Sequence, residues 1–267
     1  VTTSVQKIRV GTAGWSIPRT LAEQAPGEGA HLHRYARQLP CAEINSSFYR
    51  PHMPATYSKW AAAVPDGFQF SVKVPRALTH EGGLAPDAVP LQRFLEESSA
   101  LGDRRGPLLL QLPPKGVFDK ERAKEFFRLF RELYSGLAVM EPRHASWFTE
   151  ESEMLLRQFA IARVAADPMR VPEAMTPAGD ASCVYYRLHG SPRTYYSAYE
   201  EDWLAALAQD LRAAAKRGAQ VWCIFDNTAS GAAFGNALRL RDLTYRLSAA
   251  LHLKSKAVTR CESSRPR

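Results

Sequence analysis

The residues able to do chemistry recur in one setting: each group of them stands just after a short apolar run. Glu43-Ile44-Asn45 closes one run, Lys73 a second, Gln111 a third, Glu141-Pro142-Arg143-His144 a fourth, Arg187-Leu188-His189-Gly190 a fifth and Phe225-Asp226-Asn227 a sixth. Together they offer three carboxylates (Glu43, Glu141, Asp226) and three permanent cations (Lys73, Arg143, Arg187), with His144, His189, Gln111 and Asn227 beside them. Carboxylates and an imidazole suit proton transfer, and a guanidinium suits bidentate binding of a carboxylate or phosphate. The charge balance also implies that some of these groups are structural ion pairs, because an unpaired charge in a closed site is costly. Glu43 and Lys73, on adjacent runs, are the first such pair to expect.

Residues two apart on an extended chain share a face. Glu141 and Arg143 therefore point together, with His144 to the other side. A carboxylate and a guanidinium at one position handle a polar ligand or each other, and ligand handling is the favoured reading. Arg187 and His189 likewise share a face. Gly190 permits a tight turn or close approach of backbone, and Asp226 on the neighbouring run is placed to orient His189 as a general base. The expected catalytic groups are thus Glu141, His189, Glu43 and Asp226. Lys73, Gln111, Arg143, His144, Arg187, Asn227, Trp15 and Asn45 are the expected substrate contacts. Thr79-His80 and Tyr195-Tyr196 lie in long loops that either cover a substrate or face solvent.

Eight β-branched or apolar runs position these residues: Ile8 to Gly11, Cys41 to Asn45, Gln69 to Val74, Leu108 to Leu112, Ala138 to Glu141, Ile161 to Ala165, Cys183 to Leu188 and Gln220 to Asp226. Helical periodicity fills most of the gaps, at His31 to Leu39, Ala55 to Ala63, Leu91 to Leu101, Lys120 to Tyr134, Glu150 to Phe159, Glu200 to Arg217 and Ala233 to Leu247. Strands alternating with helices predict an α/β fold, a (β/α)8 TIM-type barrel in which chemistry gathers at the carboxyl ends of the strands. Pro168, Pro172 and Pro177 interrupt the segment from Ala166 to Ser182, so the sixth helix is expected to be irregular or missing. An open doubly wound sheet would call for a Gly-rich phosphate loop after its first strand, and Gly11-Thr12-Ala13-Gly14-Trp15 lacks that spacing.

The 267 residues, 45% hydrophobic, suffice for one large α/β domain, expected over 1–253, with a basic tail over 254–267. Net charge is +8, but from Lys254 onward five basic residues face a single Glu262, which places half of the excess in the tail. Cys41, Cys183, Cys223 and Cys261 are too far apart for a CxxC motif, and the first three lie in predicted strands as buried thiols. No apolar run reaches the ~18 residues of a membrane span, and Val1 to Val10 lacks the apolar core of a signal peptide. A cytoplasmic protein without a membrane partner is expected. Oligomeric state is not legible.

In order, Gly11-Thr12-Ala13-Gly14-Trp15, Glu43-Ile44-Asn45-Ser46-Ser47-Phe48-Tyr49, Phe70-Ser71-Val72-Lys73, Thr79-His80, Gln111-Leu112-Pro113-Pro114, Glu141-Pro142-Arg143-His144-Ala145-Ser146-Trp147, Arg187-Leu188-His189-Gly190 and Phe225-Asp226-Asn227-Thr228 resemble the YecE-like family, domain of unknown function number 72. The resemblance runs from Gly11 to about Leu243 and implies a (β/α)8 barrel. One departure is Pro142, where the family pattern usually has Phe. Because the family's activity is unassigned, the residues must supply the chemistry.

The leading expectation is an enzyme acting on a small anionic, hydroxyl-bearing substrate, a phosphate or carboxylate. Lys73, Arg143 and Arg187 would bind the anion while Glu141 and His189 exchange protons, in a hydrolase, isomerase or lyase reaction. No cofactor is predicted. A divalent-metal enzyme is the alternative, since Glu141, Asp167, His189 and Asp226 carry suitable ligand types, although Arg143 and Arg187 would repel the ion. A nucleic-acid binding or repair role draws on the basic charge and the helix from Lys120 to Arg131, whose bases alternate with Glu121, Glu125 and Glu132. A retaining glycosidase fits less well, because Gln111 and His189 stand where its acids should be.

Overall fold

Alternation along the strands sorts the side chains into two layers, one filling the interior of a ring and one facing the helices around it. In the computed structural model, which describes residues 8–169 and 171–245, ten strands form one sheet. β1 (Ile8–Ala13), β2 (Cys41–Ile44), β3 (Gln69–Lys73), β4 (Arg105–Gln111) and β5 (Ala138–Glu141) lie parallel in sequence order.

The run expected as a sixth strand is broken at Val164 into β6 (Ile161–Arg163) and β7 (Ala165–Asp167). β6 pairs with β5, while β7 pairs with β9 (Cys183–Leu188). β9 in turn pairs with β10 (Gln220–Phe225), which pairs with β1. The series of parallel strands thus begins and ends on the two halves of one interrupted run, and the barrel is nearly closed.

The strand over Ala178–Gly179, β8, is an addition to the eight expected, and it runs antiparallel to β6. It replaces the sixth helix, of which only the 3-10 turn Pro172–Met175 remains. A buried pair holds this segment: Glu153 accepts from Arg163 through one oxygen and from the Gly179 N–H, at 2.9 Å, through the other. Arg163 Nη1 reaches Glu173 O at 3.1 Å.

The predicted helices appear as α1 (His31–Ala36), α2 (Pro54–Ala62), α3 (Ala88–Ser99), α4 (Lys120–Leu133), α5 (Glu150–Gln158) and α6 (Glu201–Lys216). A last helix is described over 232–245. In α6, Glu201 and Asp202 occupy the first turn and Leu204, Leu207 and Leu211 form the buried stripe, as the sequence pattern requires. The predicted end of the last helix at Leu247, the basic tail and Cys261 lie outside the described residues. No described helix is long and apolar enough to cross a membrane.

The outer layer packs Val10, Ile44, Val72, Leu110, Met140, Leu188 and Phe225 against the helices in the larger core. The inner layer is a separate cluster containing Cys41, Leu109, Val139, Val164, Tyr185, Trp222 and Ile224. Two residues further along their strands stand Glu43, Gln111, Glu141, Arg187 and Asp226, so the interior changes from apolar to charged within one step of the pleat. Cys41, Cys183 and Cys223 are buried free thiols; burial pushes Cys183 up to about 12 and the other two higher still.

Candidate active site

Arg187, at the end of β9, is 1% exposed and organises the charged layer. Its Nε and Nη2 grip Glu43 of β2 at 3.0 and 2.8 Å, its Nη1 reaches Glu141 of β5 at 3.1 Å and its Nη2 also meets Asp226 at 3.0 Å. Burial opposes its charge, but Asp226, Glu43 and Glu141 outweigh that and hold it firmly protonated. Tyr185, one pleat below, places its hydroxyl 3.1 Å from Glu43 and 2.9 Å from Ser71 Oγ. A guanidinium so surrounded has little left for a ligand. The partners the structure gives Arg187, which the sequence suggested as a substrate contact, are protein carboxylates.

His189 lies between two of those carboxylates. Nδ1 is 3.0 Å from Asp226 Oδ2 and Nε2 is 2.9 Å from Glu141 Oε1. An imidazole can donate from both nitrogens only when protonated. Burial works against that charge, yet Glu141 and Asp226 raise the His189 pKa overall. Contact of both ring nitrogens with carboxylates favours the protonated form of His189, the form that donates a proton. Glu141 also accepts from Arg143 Nη1 at 2.8 Å and Gln111 Nε2 at 3.3 Å. Against its burial, His189, Arg187 and Arg143 hold its carboxyl well below the ordinary range. Asp226 is likewise lowered, with burial opposed by Arg187 and His189.

Lys73 is the contrasting cation. It is 5% exposed, and its Nζ lies 4.0 Å from the centroid of the Phe48 ring, with no carboxylate in ion-pair range among the described residues. The expected Glu43–Lys73 pair is thus replaced by Glu43–Arg187. Burial, then the nearby Arg187, bring the Lys73 pKa down to about 8, against the smaller pull of Glu43, Glu141 and Asp226. Ser47 Oγ, 2.6 Å from Lys73 O, fixes the backbone there. His80 packs edge-on against the same Phe48 ring at 4.8 Å, with Nδ1 3.0 Å from Thr79 Oγ1. Tyr195, with φ at 70°, sets its ring edge against His189 at 5.8 Å. Of the two loop pairs, Thr79-His80 and Tyr195 do face the site.

Three of the other expected contacts, His144, Trp15 and Asn227, have partners elsewhere. His144 Nδ1 caps the 3-10 turn Ala145–Trp147, accepting the Ser146 N–H at 3.2 Å. Trp15 packs edge-on against Trp60 and Phe70, at 5.2 and 5.9 Å. Asn227 Nδ2 ties the loop after β9 to the last helix through Ser197 O and Asn236 Oδ1, both at 2.9 Å. Asn45 Oδ1 is buried without a hydrogen-bond partner among the described residues. Gly190, at φ 93°, passes so close to Ser197 and Asn227 that a Cβ would meet them at 2.9 and 3.0 Å, which is the close approach its position suggested.

Asp167, the fourth member of the expected metal set, receives the Tyr199 hydroxyl at 2.7 Å, while Arg187 stands between Glu141 and Asp226. Among the described residues no group of three or more His, Cys, Asp and Glu is arranged to hold a metal. Tyr185, Ser71 and Tyr199 support the site but were not anticipated. Tyr185 and Ser71 stand two residues before Arg187 and Lys73, so the strand alternation could have found them; Tyr199 carried no such signal.

The model of the family described as "Protein of unknown function DUF72" matches residues 9–259. The protein YecE of Escherichia coli strain K12 is 28% identical over 173 residues, 62% of this chain, and the chain spans only 61% of that relative. YunF of Bacillus subtilis strain 168 is 22% identical over 89% of this chain and 96% of its own. Crystal structures of DUF72 family proteins from Enterococcus faecalis V583 and Thermotoga maritima MSB8 superpose with TM-scores of 0.74 and 0.73. The first is 20% identical, covering 89% of this chain and 95% of its own, and the second 23% identical, covering 88% and 98%. At such identity they speak for the fold, which is the barrel derived above. The match across almost the whole described chain settles the family: this chain belongs to DUF72.

Proposed function

We propose that the chain is an enzyme that holds a small anionic, hydroxyl-bearing substrate, a phosphate or carboxylate, at the carboxyl-end mouth of the barrel and transfers a proton there. One observation carries the reading: each of the three carboxylates is already in an ion pair, whereas Lys73 Nζ and the Nε and Nη2 of Arg143 have no acceptor among the described residues. With His189 protonated, the layer holds one positive charge more than it has carboxylates. In low-dielectric surroundings an anion is the natural complement.

Lys73 and Arg143 are the anchors in this reading, and His189 is the proton donor. Asp226 and Glu141 position the imidazole, and Arg187 with Glu43 fixes the frame on which they sit. A nucleic-acid surface has weaker support. On α4, Lys120 pairs with Glu151 at 2.9 Å, Arg128 faces Glu132 at 3.5 Å, and Arg122 and Arg131 donate to backbone carbonyls.

Thermal melting of the purified chain against phosphorylated and carboxylated metabolites tests the proposal, since a ligand of the native state raises the melting temperature. The expected result is a stabilising anion whose effect disappears in Arg143→Ala, and a hit that is turned over with rate lost in His189→Ala. Stabilisation by oligonucleotides alone, retained in Arg143→Ala, would overturn it.

A further inference from the structure

Lys73 is an odd residue for a charge anchor. A buried lysine that serves only as a cation is normally matched by a carboxylate, because desolvating an ammonium is costly. Here Glu43, Glu141 and Asp226 are engaged by Arg187, Arg143 and His189, and Lys73 rests on an aromatic face instead. Its strand end is clamped by Ser47, and a histidine packs on the same Phe48 ring. An amine that must lose its proton in order to react needs this setting: buried, held in place and without a counter-ion to keep it charged.

We propose that Lys73 is a covalent nucleophile whose ε-amine condenses with the carbonyl of a small anionic aldehyde or ketone, such as a 2-oxo acid or a keto phosphate, to give an iminium through Nζ. The inference rests on the reading that the mouth binds an anion, and it narrows the substrate class to carbonyl compounds. Arg143 holds the anionic group. The Nζ lone pair forms the N–C bond as the carbonyl π pair moves onto oxygen. Nitrogen gives up one proton and oxygen gains one, which makes a carbinolamine. The proton that the Lys73 ammonium gave up before the attack then goes to that oxygen, the C–O bond breaks, water leaves, and the nitrogen lone pair closes C=N⁺.

His80 is suited to carry these protons. Burial, Lys73 and Arg76 lower its pKa, which favours the neutral ring, able to accept the proton of the Lys73 ammonium and return it to the departing oxygen. No oxidant or reductant is involved. The iminium is an electron sink, so the reactions it opens are loss of a proton or of a carbon fragment from the adjacent carbon.

Borohydride trapping reads the intermediate directly. The full chain is incubated at pH 7 with pyruvate, with dihydroxyacetone phosphate or with neutral glycolaldehyde, reduced with sodium borohydride, and analysed by intact mass and peptide mapping. The expected product is one secondary amine per chain, on Lys73. An ordinary lysine near 10.4 holds about two orders of magnitude less free amine at this pH, so preference for Lys73 over any other lysine should be on the order of a hundredfold. Lys73→Arg keeps the charge and should abolish the adduct; mapping on the unaltered chain decides the matter even if that variant folds poorly. Labelling spread over the other lysines, or undiminished in a folded Lys73→Arg chain, overturns the proposal. If an anion stabilises the chain through Arg143 but no adduct forms on Lys73, the nucleophile falls and the anion site stands. If glycolaldehyde labels Lys73 as readily as pyruvate does, the nucleophile stands and the anion site falls.

Discussion

Arg187 and Lys73 are both buried at the barrel mouth, 1% and 5% exposed, yet one is held by three carboxylates and the other, among the described residues, by none. The first arrangement is closed: each partner is fixed by another, from Tyr185 on Glu43 through Arg187 to Asp226 and His189. The second is open, with an ammonium on a ring and an Arg143 that meets a carboxylate through Nη1 alone. Saturation marks the frame, and lack of saturation marks where, in the function proposed above, a ligand would complete the charge. That difference divides the charged residues of the mouth by role better than residue type does, since both sides contain the same kinds of group.

The sharpest way to break the closed side is Arg187→Met. Glu43 would be left buried without its cation, and Glu141 and Asp226 with one cation fewer; loss of one partner of a buried pair costs about 3–5 kcal/mol. Urea unfolding should show a loss of that size. A loss within about 0.5 kcal/mol, typical of a surface site, would mean that the network is not structural. The next effect belongs to His189. Replacing it by Gln leaves Glu141 or Asp226 short of a donor and should cost about 1–3 kcal/mol at pH 6. Because the folded-state pKa of His189 is raised, its contribution is fully present below the unfolded value of about 6.5 and fades as pH rises through the folded value. The stability gap between the native chain and His189→Gln should therefore narrow on going alkaline. A gap that widens would show that the ring is neutral in the folded state.

The two sides also differed in how far the sequence revealed them. Position at the ends of apolar runs brought Glu43, Glu141, Arg187 and Asp226 together in the sequence, and the structure sets each two residues after a residue of the inner cluster. What alternation cannot say is who pairs with whom. Adjacency of β2 and β3 suggested Glu43 with Lys73, but inside a barrel side chains of equal height meet across the axis. Glu43 found Arg187, 144 residues away. His144 and Asn227 looked like ligand contacts because they follow strand ends. One serves a cap to Ser146 and the other ties down a loop, local uses that residue type does not distinguish from binding. The broken sixth strand was hidden for a related reason: the run from Ile161 to Ala165 holds no Gly or Pro to mark a break, and only closure of the ring demands that its halves pair with different neighbours.

The smallest effect has the opposite sign and sharpens the contrast. Lys73→Met removes an ammonium that burial and Arg187 disfavour, so the variant should be more stable than the native chain at pH 7, by about 1 kcal/mol. The folded pKa of about 8 lies below the unfolded value near 10.4. Between them the unfolded chain binds more protons, so native stability rises with pH and the advantage of Lys73→Met should vanish towards pH 10. His189 and Lys73 thus tilt stability in opposite directions on going alkaline, the first because its charge is matched and the second because it is not. Paired unfolding curves of the two variants at pH 6, 7.5 and 9 would test this. If Lys73→Met were destabilised at every pH, the ammonium would have a partner in solution, and the open side of the mouth would be closed after all.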